Sequence, residues 1–275
     1  MMKSQALPRR LAILALALHA LLGSALQAQT PATPPAVELP PASAWSHQWG
    51  GGLAMFPSYA GSKQMIVLPL PVLESQYRDW FYISSVRGLG LQFRPLAALQ
   101  LGVAVAPDIN VRRSEDLPAA YRQLDTIPMA PALRWNAELG LGRLQLQAAL
   151  STRLARREQV GEGSSLELSG DFGLLALPTL QLAVGASAQL MDERLAQAMF
   201  GLSAPQAAKL GVPSYQVGEG LVSAGLFARL SYRLNDQWLL RSKLGVHQLQ
   251  GDAARSPLLQ RRWQPELFVL ISRPF

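Results

Sequence analysis

The sequence predicts an all-β protein: an antiparallel transmembrane β-barrel of about 12 strands, with a short helix in one long outer loop. Three observations carry that expectation. The last stretch, Arg261 to Phe275, alternates apolar residues at Trp263, Pro265, Leu267, Val269 and Ile271 and stops on Phe275, after an interruption at Arg273. A period of two marks one face of a strand, and an aromatic at the end of a barrel-closing strand suits the membrane–water boundary. The chain opens with an export signal. Between the two ends, alternating runs are joined by short turns and long polar loops in strict rotation.

The signal occupies residues 1–28. Lys3, Arg9 and Arg10 form its positive region, Leu11 to Leu22 its apolar region, and Gly23 to Ala28 supply small residues, with cleavage expected after Ala28. It is too short to span a membrane as a helix. Residues 29–44, with Pro31, Pro34, Pro35, Pro40 and Pro41, read as a Pro-rich periplasmic tether. Residues 45–275 form the predicted barrel.

The strands follow in order. Trp45, His47, Trp49, Gly51, Leu53 and Met55 form the outward face of the first, with Ser46, Gln48, Gly50, Gly52 and Ala54 on the other. Met65 to Leu73 returns. Asp79 to Ser84, with Trp80 and Tyr82 as candidates for the aromatic belt, and Gly88 to Phe93 are read as two strands, because an even count places every later long loop on the outer side. Leu99 to Val105 precedes a loop from Asp108 to Thr126. Met129 to Leu139 and Leu144 to Thr152 meet at the Gly140–Gly142 turn, and an outer loop spans Arg156 to Gly163. Leu166 to Leu174 turns at Pro178 into Leu180 to Leu190. The 19 residues from Phe172 to Leu190 carry no charge, the length of a membrane helix. Yet Pro178-Thr179 interrupts them and Gln181, Ser187 and Gln189 share one parity, which makes them a hairpin. The longest loop, Met191 to Glu219, contains the helical stretch Glu193 to Leu210. Val222 to Tyr232, a turn at Asn235-Asp236, Trp238 to Val246, the loop Gly251 to Leu259 and the closing strand complete twelve.

The opposite parity gives the lumen: Arg134, Asn136, Glu138, Gln145, Gln147, Arg153, Glu167, Asp171, Arg229, Arg233, Arg241, Lys243, His247 and Glu266. Both signs of charge occur, so cross-lumen ion pairs and a largely blocked interior are expected rather than a wide channel of one sign.

Composition excludes several classes. The chain of 275 residues has 25 basic and 18 acidic residues and no cysteine. Removing the signal leaves 22 basic residues against 18 acidic, a net charge of +4. The basic residues are scattered and do not interleave with aromatics, so a nucleic-acid partner is not expected. Absence of cysteine rules out a disulfide scaffold, thiol catalysis and cysteine metal sites. Two histidines remain after the signal. His47 has lipid-facing parity. His247 faces inward, with Asp252 and Ser256 near it in sequence, the one arrangement open to a lipid hydrolase. No catalytic residue, metal site or cofactor is assigned.

Three loop motifs remain. The first is Pro57-Ser58-Tyr59-Ala60-Gly61-Ser62, followed by Pro69-Leu70-Pro71. The second is Met199-Phe200-Gly201-Leu202-Ser203 with Gly211-Val212-Pro213-Ser214-Tyr215. The third is Asp252-Ala253-Ala254-Arg255-Ser256-Pro257-Leu258. Together, in this order, they resemble the MltA-interacting protein (OmpV-like) family of outer-membrane proteins. The departures are Met199 where Tyr usually precedes Phe-Gly, Arg255 where an acid is usual, and Arg273 near the end. Read physically, the motif residues shape turns and cap free backbone groups. The resemblance implies a non-enzymatic scaffold joining a lytic transglycosylase to a murein synthase, with outer-membrane lipid as solvent and the barrel-assembly machinery as partner during biogenesis. A narrow pore for small, anionic solutes is the alternative reading, and the hydrolase a second.

Overall fold

The computed structural model describes residues 44–154 and 161–274. The predicted signal and all but the last residue of the tether, part of the Arg156–Gly163 loop and the terminal Phe275 lie outside them.

Twelve antiparallel strands form a closed barrel in sequential order, β12 pairing with β1. They are β1 (Trp45–Pro57), β2 (Met65–Tyr77), β3 (Phe81–Ser84), β4 (Gly88–Leu96), β5 (Leu99–Asp108), β6 (Ala130–Leu141), β7 (Leu144–Arg153), β8 (Ser164–Ala176), β9 (Leu180–Met191), β10 (Gly220–Arg233), β11 (Leu239–Leu249) and β12 (Trp263–Pro274). Closure satisfies strand backbones internally, which hydrocarbon cannot do. Among the described residues no helix is long and apolar enough to cross a membrane. Apart from the three-residue β3–β4 turn, the short turns fall at one rim and the long loops at the other, which makes the first periplasmic and the second outer.

Parity sorts the side chains as expected. Leu53, Leu73, Phe93, Trp135, Leu226, Leu244 and Trp263 are each more than half exposed and face outward, where lipid replaces water as their solvent. The periplasmic rim carries a packed aromatic group, with Trp45 5.1 Å from Tyr77 and Trp49 5.6 Å from Trp238 between ring centroids. At the closing seam the small inner residues are required: a Cβ on Gly50 or Gly52 would strike the β12 backbone at Ile271 and Val269. The seam register Gly50↔Ser272 and Gly52↔Leu270 depends on that close approach.

Four expectations change. Strand β3 begins at Phe81, and Asp79 and Trp80 belong to the turn before it. Tyr82 is not a belt residue: the register Gln76↔Tyr82 points it inward, where it is 2% exposed beneath Arg87. A bulge between Leu221 and Ser223 breaks the parity of β10 and turns Val222 into the interior at 3% exposure. The single helix is two, α1 (Glu193–Phe200) and α2 (Ala204–Leu210). The break at Gly201 to Ser203 arises because Ser203 and Gln206 form a reciprocal capping box and Pro205 sits in the first turn of α2.

Candidate functional site: the capped lumen

The outer mouth is filled by a small apolar core that the loops build among themselves. Leu195, Ala196, Met199 and Phe200 of α1 pack with Ile127, Met191, Val217, Val222, Leu249 and Ala253. Beside them Tyr59, Leu117, Leu124, Leu202 and Leu258 form a second cluster. The amphipathic spacing of α1 explains its seat. Leu195, Ala196, Met199 and Phe200 share one face, and Asp192 caps the helix by accepting from the Leu195 N–H at 2.9 Å. The same carboxylate accepts from the Ser164 N–H at 2.8 Å, which ties the helix start to β8.

Here the three loop motifs meet. The Tyr59 hydroxyl donates to the Leu258 carbonyl at 2.9 Å. The Ser256 hydroxyl donates to the Phe200 carbonyl at 2.6 Å. Tyr215 donates to the Asp252 carbonyl at 2.8 Å, and Asp252 accepts from the Gly218 N–H at 3.3 Å and from Arg255 at 2.7 Å. Gly61, at a φ of 109° that favours glycine, donates its N–H to the Gln264 side chain at 3.1 Å, while its carbonyl accepts from Gln260 and Arg261. Ser58 donates to Ser62 at 3.0 Å. Gly201 closes α1 with its N–H on the Gln197 carbonyl, and Ala253 is buried in the first cluster. Pro57 ends β1 and Pro257 sits between Ser256 and Leu258. Pro213 is exposed. Pro69 and Pro71 stand apart from the cap, in the wall on β2.

Two features of the cap escaped sequence reasoning. Arg112 is 1% exposed and donates from Nη1 to the Met199 carbonyl at 3.0 Å, while its Nε has no hydrogen-bond partner among the described residues. Burial pulls this guanidinium down from its ordinary range to about 10, partly offset by Tyr59 and Asp125. Burial likewise pushes the Tyr59 phenol up to about 12. Gln264, a glutamine on an otherwise ordinary strand, joins β12 to the first loop. Neither carries a local signal, because each is defined by partners distant in sequence.

Below the cap, the lumen charges pair across strands. Arg229 of β10 meets Asp171 of β8. Its guanidinium lies 5.4 Å from the Phe227 ring centroid, and Lys243 lies 5.1 Å from the same ring. Lys243 pairs with Glu266 at 2.8 Å, and His247 Nε2 approaches the same carboxylate at 3.1 Å. On the opposite wall Arg87 pairs with Glu74 and covers the Tyr82 ring at 4.1 Å, and Arg134 faces Glu167 at 3.8 Å. Glu138 lines a cavity of about 250 Å³ beside them. A second cavity of about 350 Å³ lies under the cap, bounded by Phe56, Asn110, Lys243, His247, Glu266 and Phe268. Arg153 anchors the loop after β5, donating to the Asn110 and Pro128 carbonyls at 2.8 and 2.6 Å and facing Asp108 at 3.7 Å. Arg233 and Arg241 have no acidic partner within ion-pair distance among the described residues.

His247 engages Glu266, while the Ser256 hydroxyl is committed to a backbone carbonyl and Asp252 to Arg255 and Gly218, so these three do not assemble into a nucleophile–base pair. Among the described residues no group of three or more His, Asp or Glu side chains is placed to hold a metal ion.

Comparison with solved structures returns outer-membrane proteins at very low identity. Neisserial surface protein A is 9% identical, covering 85% of this chain and 98% of that one at a TM-score of 0.28. OprB of Pseudomonas putida is 6% identical, covering 84% and 94% at 0.42. A FadL homologue of Pseudomonas aeruginosa is 10% identical, covering 85% and 90% at 0.37. No curated protein matches the chain. The profile described as MltA-interacting protein MipA matches residues 49–275, from the first strand to the final phenylalanine. With the loop motifs gathered into one cap on a twelve-stranded outer-membrane barrel, the chain belongs to the MltA-interacting protein family.

Proposed function

We propose that this outer-membrane barrel is a non-enzymatic scaffold that acts by contact, holding a lytic transglycosylase and a murein synthase near the outer membrane. The observation that supports it is the cap. An apolar loop core with Phe200, Leu195 and Leu202 at 0–2% exposure fills the outer mouth, and most of the lumen charge beneath it is neutralised in pairs. Such an interior favours neither bulk passage nor chemistry. The family description supplies the class of partner, an MltA-type enzyme. The periplasmic turns offer little surface: Gly142-Arg143 between β6 and β7, and Leu177 to Thr179 between β8 and β9. Residues 29–44, the periplasmic arm that follows the export signal, are therefore the proposed contact. The test is capture of a purified MltA-type transglycosylase by the refolded protein of residues 29–275, beside a variant starting at residue 45. Binding lost with the arm supports the reading; no binding by either protein refutes it.

Arg233 and Arg241, cationic and without an acidic partner among the described residues, favour a second reading, a narrow anion-preferring pore. Single-channel conductance of the wild type beside Arg241→Ala/Lys243→Ala decides. Steady conductance whose selectivity shifts in the variant supports the pore, and silence of a folded barrel removes it.

A further inference from the structure

The barrel wall has a notch on its outer half. Strand β3 has four residues, against thirteen in β2, so the β3–β4 hairpin turns back at half height. Strand β2 pairs with β3 only from Glu74 to Tyr77, and Ser85 extends the contact as far as Leu73 and the Pro71 carbonyl. Beyond that, among the described residues, the backbone of β2 from Leu70 to Met65 has no hydrogen-bonded partner besides β1, while the Met65 sulfur accepts from Arg261 at 3.1 Å. On the far side, β4 covers β5 only as far as Val105. Two absent strands leave roughly 14 Å between the flanking backbones if the sheet keeps its curvature.

Bare edges inside hydrocarbon are costly, because lipid offers no hydrogen bonds. This notch carries an answer to that cost. The Leu73 N–H and C=O and the Pro71 C=O all point toward Ser85. Backbone direction repeats every second residue, so the nitrogens of Pro71 and Pro69 both face the notch and have no hydrogen to leave unpaired. The opposite edge does the same. The Pro131 carbonyl accepts from Leu154 of the β7 side, and Pro131 opposes Pro107. Pro107 therefore turns its own nitrogen to the notch. Three prolines on two facing edges remove donors from this open part of the wall, and on β2 the Val67 N–H is the mid-strand donor that stays.

The notch lies at membrane depth. Outward-facing Val67, Leu89 and Val105 around it, Val86 at its base and Ile109 above it are 46–66% exposed. It also leads to an apolar part of the lumen. Strand β2 is the one place where both faces are apolar over a long run: Ile66, Leu68, Leu70 and Val72 point inward beside Ala54, and Leu68 is 41% exposed there. Phe56 and Phe268 extend this sector, their rings stacked at 6.3 Å. A lumen otherwise lined by ion pairs has a greasy strip along the edge that opens sideways.

We propose that the notch between β2 and β5 admits an acyl chain of an outer-leaflet lipid, which lies against the inner face of β2 at Leu68 and Leu70. The occupant follows from the position. The opening faces hydrocarbon, its rim has few donors with which to recruit a peptide strand, and the inner face of β2 behind it is apolar from Ile66 to Val72.

The chain has no cysteine, so a single fluorophore can be placed at Leu68→Cys, at lipid-facing Val67→Cys and at lumen-facing Gln147→Cys on the opposite wall. Each refolded protein is reconstituted in phosphatidylcholine vesicles with a nitroxide carried mid-chain on the lipid, and separately titrated with aqueous iodide. Heat-dependent gel mobility confirms folding of each. The expected result is that Leu68→Cys loses fluorescence to the lipid nitroxide as Val67→Cys does and resists iodide, while Gln147→Cys shows the reverse. If Leu68→Cys behaves as Gln147→Cys does, quenched by iodide and indifferent to the lipid, the notch is wet or shut and the proposal falls. The same probe at Leu70→Cys gives an independent reading, with the same two outcomes.

Discussion

Replacing Phe200 with alanine should open the cap without unfolding the barrel. The ring is 2% exposed, in a cluster with Leu195, Met199, Ile127 and Val222. Deleting a buried phenyl ring costs about 3–5 kcal/mol. None of the strand ladders passes through it, so the loss falls on the local equilibrium between seated and released loops. At 1.4 kcal/mol per factor of ten, the released population rises roughly a hundred- to several-thousand-fold. Hydrogen exchange read by mass spectrometry across residues 192–219 measures this directly. Those amides should exchange far faster in Phe200→Ala, while amides of β6, β7 and β11 keep their protection. Ser256→Ala serves as a graded comparison: it removes one buried bond to the Phe200 carbonyl but keeps the ring, and should cost about 1–3 kcal/mol. Unchanged exchange in 192–219 for Phe200→Ala would show that α1 is held by something other than its apolar face. Loss of protection throughout the strands would show instead that the cap and barrel are one cooperative unit. Either result refutes the reasoning.

Other outcomes follow from the same geometry. Glu266→Gln leaves Lys243 and His247 facing a neutral group and should destabilise the barrel by about 3–5 kcal/mol in urea, with Lys243→Met/Glu266→Gln recovering part of the loss. Tyr59 favours its neutral form when folded, so its contribution is full below pH 10 and declines as pH rises from 10 to about 12. That amounts to about 3 kcal/mol for a phenol that is 3% exposed. Arg112, with its folded value lowered to about 10, acts with opposite sign over the same range. Tyr59→Phe should therefore keep its cap in alkali better than the wild type, as seen by exchange or proteolysis of the loops between pH 10 and 12. Pro69→Thr/Pro71→Thr restores two donors to an edge with no partner in lipid; cross-linking should detect edge-paired dimers, or urea titration a barrel weaker by several kcal/mol.

Strand existence, parity and the even count were legible in the sequence because lipid outside and charge inside impose a period of two on nearly every strand. The exceptions have physical causes. Four residues are too few to establish a phase, so the aromatic character of Tyr82 points to the belt although its register turns it inward. Val222 has lipid-facing parity in the sequence, but a bulge adds one residue and inverts the parity around it. The division of the helical loop at Ser203 was readable in retrospect from Ser-x-x-Gln with Pro205. The loop motifs were visible, yet their meeting was not: Tyr59 and Leu258 carry no mark that pairs them. Arg112 and Gln264 were invisible for the same reason. The Pro-x-Pro of β2 is plain in the sequence, but its meaning depends on the missing height of β3, which no property of β2 itself records.

The bond from Tyr59 to the Leu258 carbonyl joins positions 199 residues apart in the chain. One lies just past the first strand and the other just before the last. Nothing holds them together until β12 has docked on β1. The order of assembly is thereby constrained: a chain still threading its strands into the bilayer cannot seat this tyrosine, and the second loop cluster, in which Tyr59 and Leu258 pack with Leu202, waits for it. Contacts of such separation form late. The α1 cluster draws on Ile127, Met191, Val222 and Leu249, all ahead of β12, and is under no such constraint. Protection of Tyr59 is a clock whose last tick is closure, and it distinguishes a finished barrel from one that has merely inserted.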